Sequence, residues 1–177
     1  MITGTILGQK FTFQTSPTVF SPQKIDEGTR FLLENINITD VKRILDIGCG
    51  YGAIGIVVAK TNPESQIVMI DKNPEALRLC KENVKLNNLQ NCRVLTTSAV
   101  NTISKFNLAL SNLPWHQNKT AVPEIISLAF DRLENDGKFF AVTNSQFRTE
   151  DLINTNFGNV MMIRQWPPYK ILKAEKK

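Results

Sequence analysis

Metal-binding side chains are scarce in this chain. It has one histidine, His116, and three cysteines, Cys49, Cys80 and Cys92. Their spacing matches no metal site, so no metal is expected. The odd cysteine count, with no charged-then-apolar signal pattern in residues 1–10, points to a reducing compartment and a cytoplasmic protein. No apolar run approaches the length of a bilayer span, which argues against a membrane role. Internal repeats and low-complexity segments are also missing. Charge of one sign is only mildly in excess, at a net +5. Such a surface tolerates a polyanionic partner but does not identify one. What remains is an ordinary globular chain of 177 residues, long enough for one sizeable core. It reads as a single domain, 1–177, with a monomer favoured over an oligomer.

The run Asp46-Ile47-Gly48-Cys49-Gly50-Tyr51-Gly52 is the most informative feature present. Apolar Ile44 and Leu45 precede it, and a helix-like stretch, 53–60, follows. A strand, a glycine turn and a helix start, in that order, make a nucleotide-binding corner. The glycines let backbone approach a ligand closely and tolerate positive φ. The helix start offers unpaired N–H groups. Gly50, Gly52 and Gly55 also fit a dinucleotide fingerprint, with Asp71 about 20 residues further on. Two features favour S-adenosylmethionine instead. The Asp46 carboxylate would repel a pyrophosphate but suits a ligand carrying an ammonium and a sulfonium. The segment Asn112-Leu113-Pro114-Trp115 has a purpose in methyl transfer and none in hydride transfer.

Residues 1–40 read as an extension ahead of the core, 41–177. In it, 3–7 and 10–14 read as two strands around Gly8-Gln9. Ser21 is the expected cap of a helix running to about Asn35, with Pro22 at its first position. The core alternates strand and helix. Strands are expected at 43–46, 66–70, 93–95, 107–110 and 138–143. Helices are expected at 53–60, from Asn73-Pro74-Glu75 up to Asn87-Asn88, and at 122–133. Asn135-Asp136-Gly137 should stop the last of these. A hairpin, 160–164 and 170–174, flanks Trp166-Pro167-Pro168-Tyr169, and the charged residues 173–177 are expected to fray. Strands alternating with helices imply an α/β fold, a parallel sheet covered on both faces. Ligands then sit at the carboxyl ends of the strands. Asp46, Gly48, Gly50, Gly52, Asp71, Ser98 and Asn112 gather at that edge.

Asp71 could accept from the ribose diol of an adenosyl group, or serve as a helix-start acid beside Asn73. Ser98 could face the adenine ring, although no acid lies between Arg93 and Lys105 to accept from its amine. Asn112 and Leu113 carry the acceptor chemistry. An exocyclic amine on a base is a poor nucleophile, because its lone pair is delocalised into the ring. Two oxygens accepting from its two N–H bonds would hold it with the lone pair aimed at the methyl. The Asn112 side chain supplies one and the Leu113 backbone carbonyl the other, with Pro114 restricting Leu113 to an extended shape. Trp115 offers a flat face for a flipped base. A proline turn around a buried tryptophan is the plain structural alternative. His116 could contact the substrate or take up a proton, and Gln117, Asn118 and Lys119 extend a polar entrance loop. Lys10, Lys24, Lys119 and Arg148 are candidates for RNA contact.

Together these motifs resemble the small-methyltransferase family of class I S-adenosylmethionine-dependent enzymes. More narrowly, the chain resembles the catalytic domain of small-subunit ribosomal RNA guanine-N2 methyltransferases. The resemblance begins at Val19-Phe20-Ser21-Pro22 and Ile25-Asp26-Glu27-Gly28-Thr29. It runs through 46–52, Asp71-Lys72-Asn73 and Asn112-Leu113-Pro114-Trp115-His116, and reaches Lys170-Ile171-Leu172-Lys173-Ala174. It implies a Rossmann-like class I methyltransferase fold: a seven-stranded, mostly parallel sheet with helices on both faces and an antiparallel C-terminal hairpin. A short N-terminal hairpin and helix would precede it. It implies S-adenosyl-L-methionine as cofactor, with Phe20, Ser21 and Thr29 beside its methionine part and Lys72 next to Asp71. It implies RNA as partner, in rRNA or a ribosomal particle, contacted by Trp115, His116 and Lys119. The chain departs from the family in two respects. Leu113 stands where a first proline is usual, and the additional N-terminal domain of the ribosomal enzymes has no counterpart in the sequence. The expected activity is methylation of an exocyclic amine in RNA, guanine N2. Adenine N6 or a protein glutamine is the alternative within the enzyme class. A dinucleotide-binding oxidoreductase or a non-catalytic cofactor-binding module is the alternative outside it.

Overall fold

Ile44 and Leu45 are neighbours in sequence, both wholly buried, and they enter different hydrophobic cores. That is the pattern of a strand covered on both faces, where apolar residues run on instead of alternating. The computed structural model describes residues 1–19, 21–115 and 120–177. The chain opens with strands β1 (Ile2–Ile6) and β2 (Gln9–Phe13) and helix α1 (Glu27–Asn35). It continues as β3 (Arg43–Ile47), α2 (Ala53–Thr61), β4 (Gln66–Asp71), α3 (Pro74–Leu86) and β5 (Cys92–Thr96). A 3-10 turn, Thr97–Thr102, leads to β6 (Phe106–Asn112), α4 (Ala121–Arg132) and β7 (Leu133–Asn144). Helix α5 (Thr149–Phe157) and strands β8 (Met161–Trp166) and β9 (Tyr169–Glu175) follow.

The main sheet has seven strands in the order β5-β4-β3-β6-β7-β9-β8. Strands β3 to β7 are parallel, while β9 runs antiparallel to β7 and β8 antiparallel to β9. This is the sheet that the family resemblance implies. Strand order reverses between β3 and β6, which opens a crevice at their carboxyl ends. One core holds Ile44, Met69, Leu108 and Leu110 with α2, α1 and the N-terminal hairpin. The other holds Leu45, Val68, Ile70 and Ala109 with α4 and α5. Helix α2 is buried from Ala53 to Ala59, which explains why its sequence is apolar all round.

The N-terminal hairpin turns at Leu7 and Gly8, with φ of 49° and 74°. Asn83 of α3, wholly buried, ties it down. Its Nδ2 donates to Gln14 O and Tyr51 O, both at 2.9 Å, and its Oδ1 accepts from Gln14 N at 2.6 Å.

Four local expectations are corrected. Helix α1 starts at Glu27 with Asp26 as its cap, whose Oδ1 accepts from Thr29 N at 2.9 Å. Ser21 has a left-handed φ of 50°, outside the extended conformation a cap needs, and its hydroxyl donates to Lys24 O. The segment Asn135-Asp136-Gly137 lies inside β7. Pairing with β6 jumps from Phe106–Leu133 to Leu108–Lys138, and Asp136 takes a φ of 63° in the bulge. The C-terminal charges are docked: Glu175 is in β9, and Lys176 is buried with Nζ donating to Phe130 O at 2.7 Å. Helix α5 was not expected at all. Among the described residues no helix is long and apolar enough to cross a membrane.

Candidate active site

The crevice is a cavity of about 680 Å³. Gly48 and Gly50 line it, with φ of +73° and +55°, and an added Cβ at either would meet nothing within 4 Å. Positive φ is what demands glycine there, and the open space is room for a ligand. Ile70 O accepts from Gly48 N and Cys49 N, both at 2.9 Å, which fixes the turn against the end of β4. Asp71 finishes the clamp. Its Oδ2 accepts from Gly50 N and its Oδ1 from Asn73 N, each at 2.9 Å. A carboxylate has about four acceptor positions, so capacity remains for a ligand hydroxyl. Asp71, Lys72 and Asn73 line the cavity, and Lys72 pairs with Glu124 of α4.

Asp46 lies at the glycine turn but not on the cavity wall. It is wholly buried, Oδ2 accepts from Gly55 N at 2.9 Å, and Oδ1 has no partner among the described residues. Burial pushes its pKa up to about 7, against the pull of the Gly55 N–H and with a further push from the Asp71 charge. Gly55 allows this approach, since a Cβ there would lie 2.4 Å from Met69 and 3.1 Å from Asp46 Oδ2. Gly52 is likewise a packing residue. It caps α2 at a φ of 98°, and a Cβ would meet Ile56 at 2.8 Å and Cys80 at 2.9 Å.

The other end of the cavity is built on Asn112, Leu113, Pro114 and Trp115. Asn112 ends β6, beside the switch in strand order. Its Nδ2 donates to Asp26 Oδ1 at 2.7 Å and to Thr29 Oγ1 at 3.0 Å. Both N–H bonds are thereby engaged, and among the described residues nothing donates to Oδ1. Leu113 is held on three sides. Its side chain is buried, its N–H donates to Val142 O at 3.0 Å, and its carbonyl accepts from Trp115 N at 2.9 Å. A proline at this position could not make the bond to Val142. These bonds restrain the Leu113 carbonyl and leave it a second acceptor position. Trp115 stacks on Phe147 at 4.5 Å between centroids, so one face of the ring is covered. Thr143, Asn144, Pro168 and Tyr169 complete this end, and Ser145 N donates to Pro168 O at 2.7 Å.

The structure therefore gathers Gly48, Gly50, Asp71, Lys72 and Asn112 to Trp115 around one cavity. Thr29 stands behind Asn112. Ser21, Gly52 and Ser98 do not line the cavity. Ser98 is exposed beside Thr96 Oγ1, and its neighbour Thr97 lines the cavity instead. Phe20, His116 and Lys119 lie outside the described residues. Lys24 and Arg148 are exposed and paired with Glu27 and Asp151, and neither they nor Lys10 line the cavity. Asp26, Thr97 and Tyr169 were missed as site residues. An acid three residues before Thr29 was a readable helix cap, but nothing local linked it to Asn112.

Residues 10–173 match the Methyltransferase small domain family. Ribosomal RNA small subunit methyltransferase C of Photorhabdus laumondii is 34% identical over 167 residues, covering 92% of this chain and 49% of that one. The uncharacterized protein YbxB of Bacillus subtilis is 31% identical over 173 residues, covering 94% of this chain and 86% of YbxB. The T. thermophilus 16S rRNA N2 G1207 methyltransferase, solved with AdoMet and guanosine, superposes with a TM-score of 0.89 at 25% identity. That match covers 99% of this chain and 50% of the other. This chain thus spans about half the length of the ribosomal RNA methyltransferases it matches. With the glycine turn, the switch-point cavity and the asparagine segment all inside the matched span, the chain belongs to the Methyltransferase small domain family.

Proposed function

We propose that this chain is a cytoplasmic S-adenosylmethionine-dependent methyltransferase acting on an exocyclic amine of an RNA base, guanine N2 of ribosomal RNA. The observation that carries this reading is the amide of Asn112, whose two N–H bonds are spent on Asp26 and Thr29 while its oxygen is left to accept. The similarity to ribosomal RNA guanine-N2 enzymes supports guanine over the adenine and glutamine alternatives. The cofactor end fits the ligand chemically. Gly48 and Gly50 leave space, Asp71 retains acceptor positions, and the unpartnered Asp46 oxygen suits a nearby positive charge. Thr97 and Lys72 would border it.

Bound there, S-adenosylmethionine supplies a methyl group on a sulfonium, a strong donor. The chain's own residues act on the acceptor. Asn112 Oδ1 and the Leu113 carbonyl each accept one N–H of the base amine, which draws its lone pair out of conjugation and fixes its direction. Pro114 and the two backbone bonds of Leu113 hold that carbonyl still. The face of Trp115 away from Phe147 is the surface offered to the base. Lys10, Lys24, Lys119 and Arg148 are the cations nominated for the RNA backbone.

The test is transfer of a labelled methyl group to ribosomal RNA in vitro, followed by nucleoside mass spectrometry. N2-methylguanosine is the expected product. Label in N6-methyladenosine or in a protein glutamine would overturn the guanine assignment. Calorimetry showing NADH binding without S-adenosylmethionine binding would overturn the methyltransferase reading itself.

A further inference from the structure

An asparagine side chain has two ends of nearly the same shape. With its oxygen toward the acceptor amine, Asn112 accepts an N–H. With its nitrogen there, it presents donors to donors. Something must choose, and the two groups touching Nδ2 differ in this respect. The Thr29 hydroxyl can donate or accept, so it tolerates either end. The Asp26 carboxylate can only accept, so it tolerates only the nitrogen. The same oxygen, Oδ1, receives Asn112 Nδ2 at 2.7 Å and Thr29 N at 2.9 Å. Gly28 makes room for it: a Cβ there would lie 3.0 Å from Asp26 Oδ1 and 2.9 Å from the Tyr169 ring.

We propose that Asp26 is a positioning residue for Asn112, its single carboxylate oxygen both starting helix α1 and setting which end of the Asn112 amide faces the acceptor. This rests on the reading of Asn112 given under the proposed function. Helix capping and amide selection are separable by substitution. Serine is as good a cap as aspartate, but its hydroxyl is one atom shorter and would no longer reach Asn112. Asparagine at position 26 keeps a capping oxygen where Oδ1 now lies, held there by Thr29 N, and that oxygen still accepts from Asn112.

The experiment compares wild type, Asp26→Ser and Asp26→Asn by thermal midpoint, S-adenosylmethionine dissociation constant, kcat and KM on guanine-containing RNA. It adds the Asn112 side-chain amide signals in a nitrogen-15 spectrum. Asp26→Ser is expected to keep its midpoint and dissociation constant, lose about 10- to 100-fold in kcat with little change in KM, and lose the shift of the bonded amide proton. Asp26→Asn is expected to recover most of the lost rate and the amide shift. Wild-type kcat and an unaltered amide signal in Asp26→Ser would overturn the proposal. So would equal losses in both variants accompanied by a lowered midpoint, which is the signature of a purely structural acid. The spectrum separates this proposal from the one beneath it. If wild type methylates no guanine, a bonded amide that is released in Asp26→Ser still supports positioning, whereas an unbonded amide in wild type overturns it.

Discussion

Asp46 gives the folded chain a pH dependence of definite sign. Its folded pKa is about 7, above the ordinary carboxylate range of an unfolded chain, about 3.9. Below both values the group is protonated in either state and contributes nothing. As pH rises from about 4 to about 7 the unfolded chain ionises first, so stability falls across that window and levels off above it. Asp46→Asn retains an acceptor for Gly55 N and removes the titration. Thermal midpoints from pH 4 to 8 should therefore fall less in the variant than in wild type. Parallel curves would show that Asp46 does not titrate there. Asn112→Ala should act on rate alone, lowering kcat by about 100-fold or more while the cofactor dissociation constant stays nearly constant, since positioning is what it removes. Unchanged turnover would take Asn112 out of the chemistry. At this scale the sequence showed which residue types were special but not what they touch. Asp46 was read as a direct ligand group, yet it is buried at the glycine turn and off the cavity wall. Asp26 was visible as an acid before Gly28, but its partner lies 86 residues away, beyond the reach of any local pattern.

Whole elements depend on a few buried polar anchors. Asn83 is the clearest, because one side chain joins α3, the hairpin at Gln14 and the turn at Tyr51. Asn83→Ala would leave those backbone groups without their partner and should lower unfolding free energy by about 2–3 kcal/mol. A urea titration would read this as a lower midpoint with an unchanged slope. An unmoved midpoint would mean that the hairpin's other anchors, buried Ile6, Phe11 and Phe13 and the Asn87 bond to Thr12 O, suffice to hold it. Elements announced by several agreeing signals were legible. Asn73, Pro74 and Glu75 mark the start of α3, and the structure has Asn73 as cap with Pro74 in the first turn. Ser21-Pro22 carried the same kind of signal but lost to Asp26, because Ser21 sits in a left-handed turn. Helix α5 was obscured by its polar run Asn154-Thr155-Asn156, although Glu150 and Asp151 in its first turn and Gly158 at its end were readable stops and starts. The bulge in β7 looked like a helix stop because its pairing with Lys176 is long-range.

At the scale of the molecule, ligand binding and folding are linked. S-adenosylmethionine at 100 times its dissociation constant should stabilise the fold by about 2.7 kcal/mol. For a domain of this size that is a rise of about 5–10 °C in thermal midpoint. NADH should give none, and the reverse result would favour the dinucleotide reading. The architecture was legible from the alternation of strands and helices, and the crevice from the residues that gather after each strand. The strand order at the far edge was not, since local patterns do not rank antiparallel neighbours. There β9 lies between β7 and β8, although it is made after both. During synthesis β8 leaves the ribosome before the strand that holds it in the sheet. Its apolar residues Met161 and Met162, exposed even in the finished fold, and Trp166, whose ring there meets Phe31 at 5.9 Å, are until then without the strand they pair with. Tyr169 arrives with β9 and brings its ring against Gly28, beside Asp26. The cavity wall formed by Pro168 and Tyr169 is therefore set only once β9 has taken its place between β7 and β8, and a chain halted before β9 would leave Asn112 with an open side.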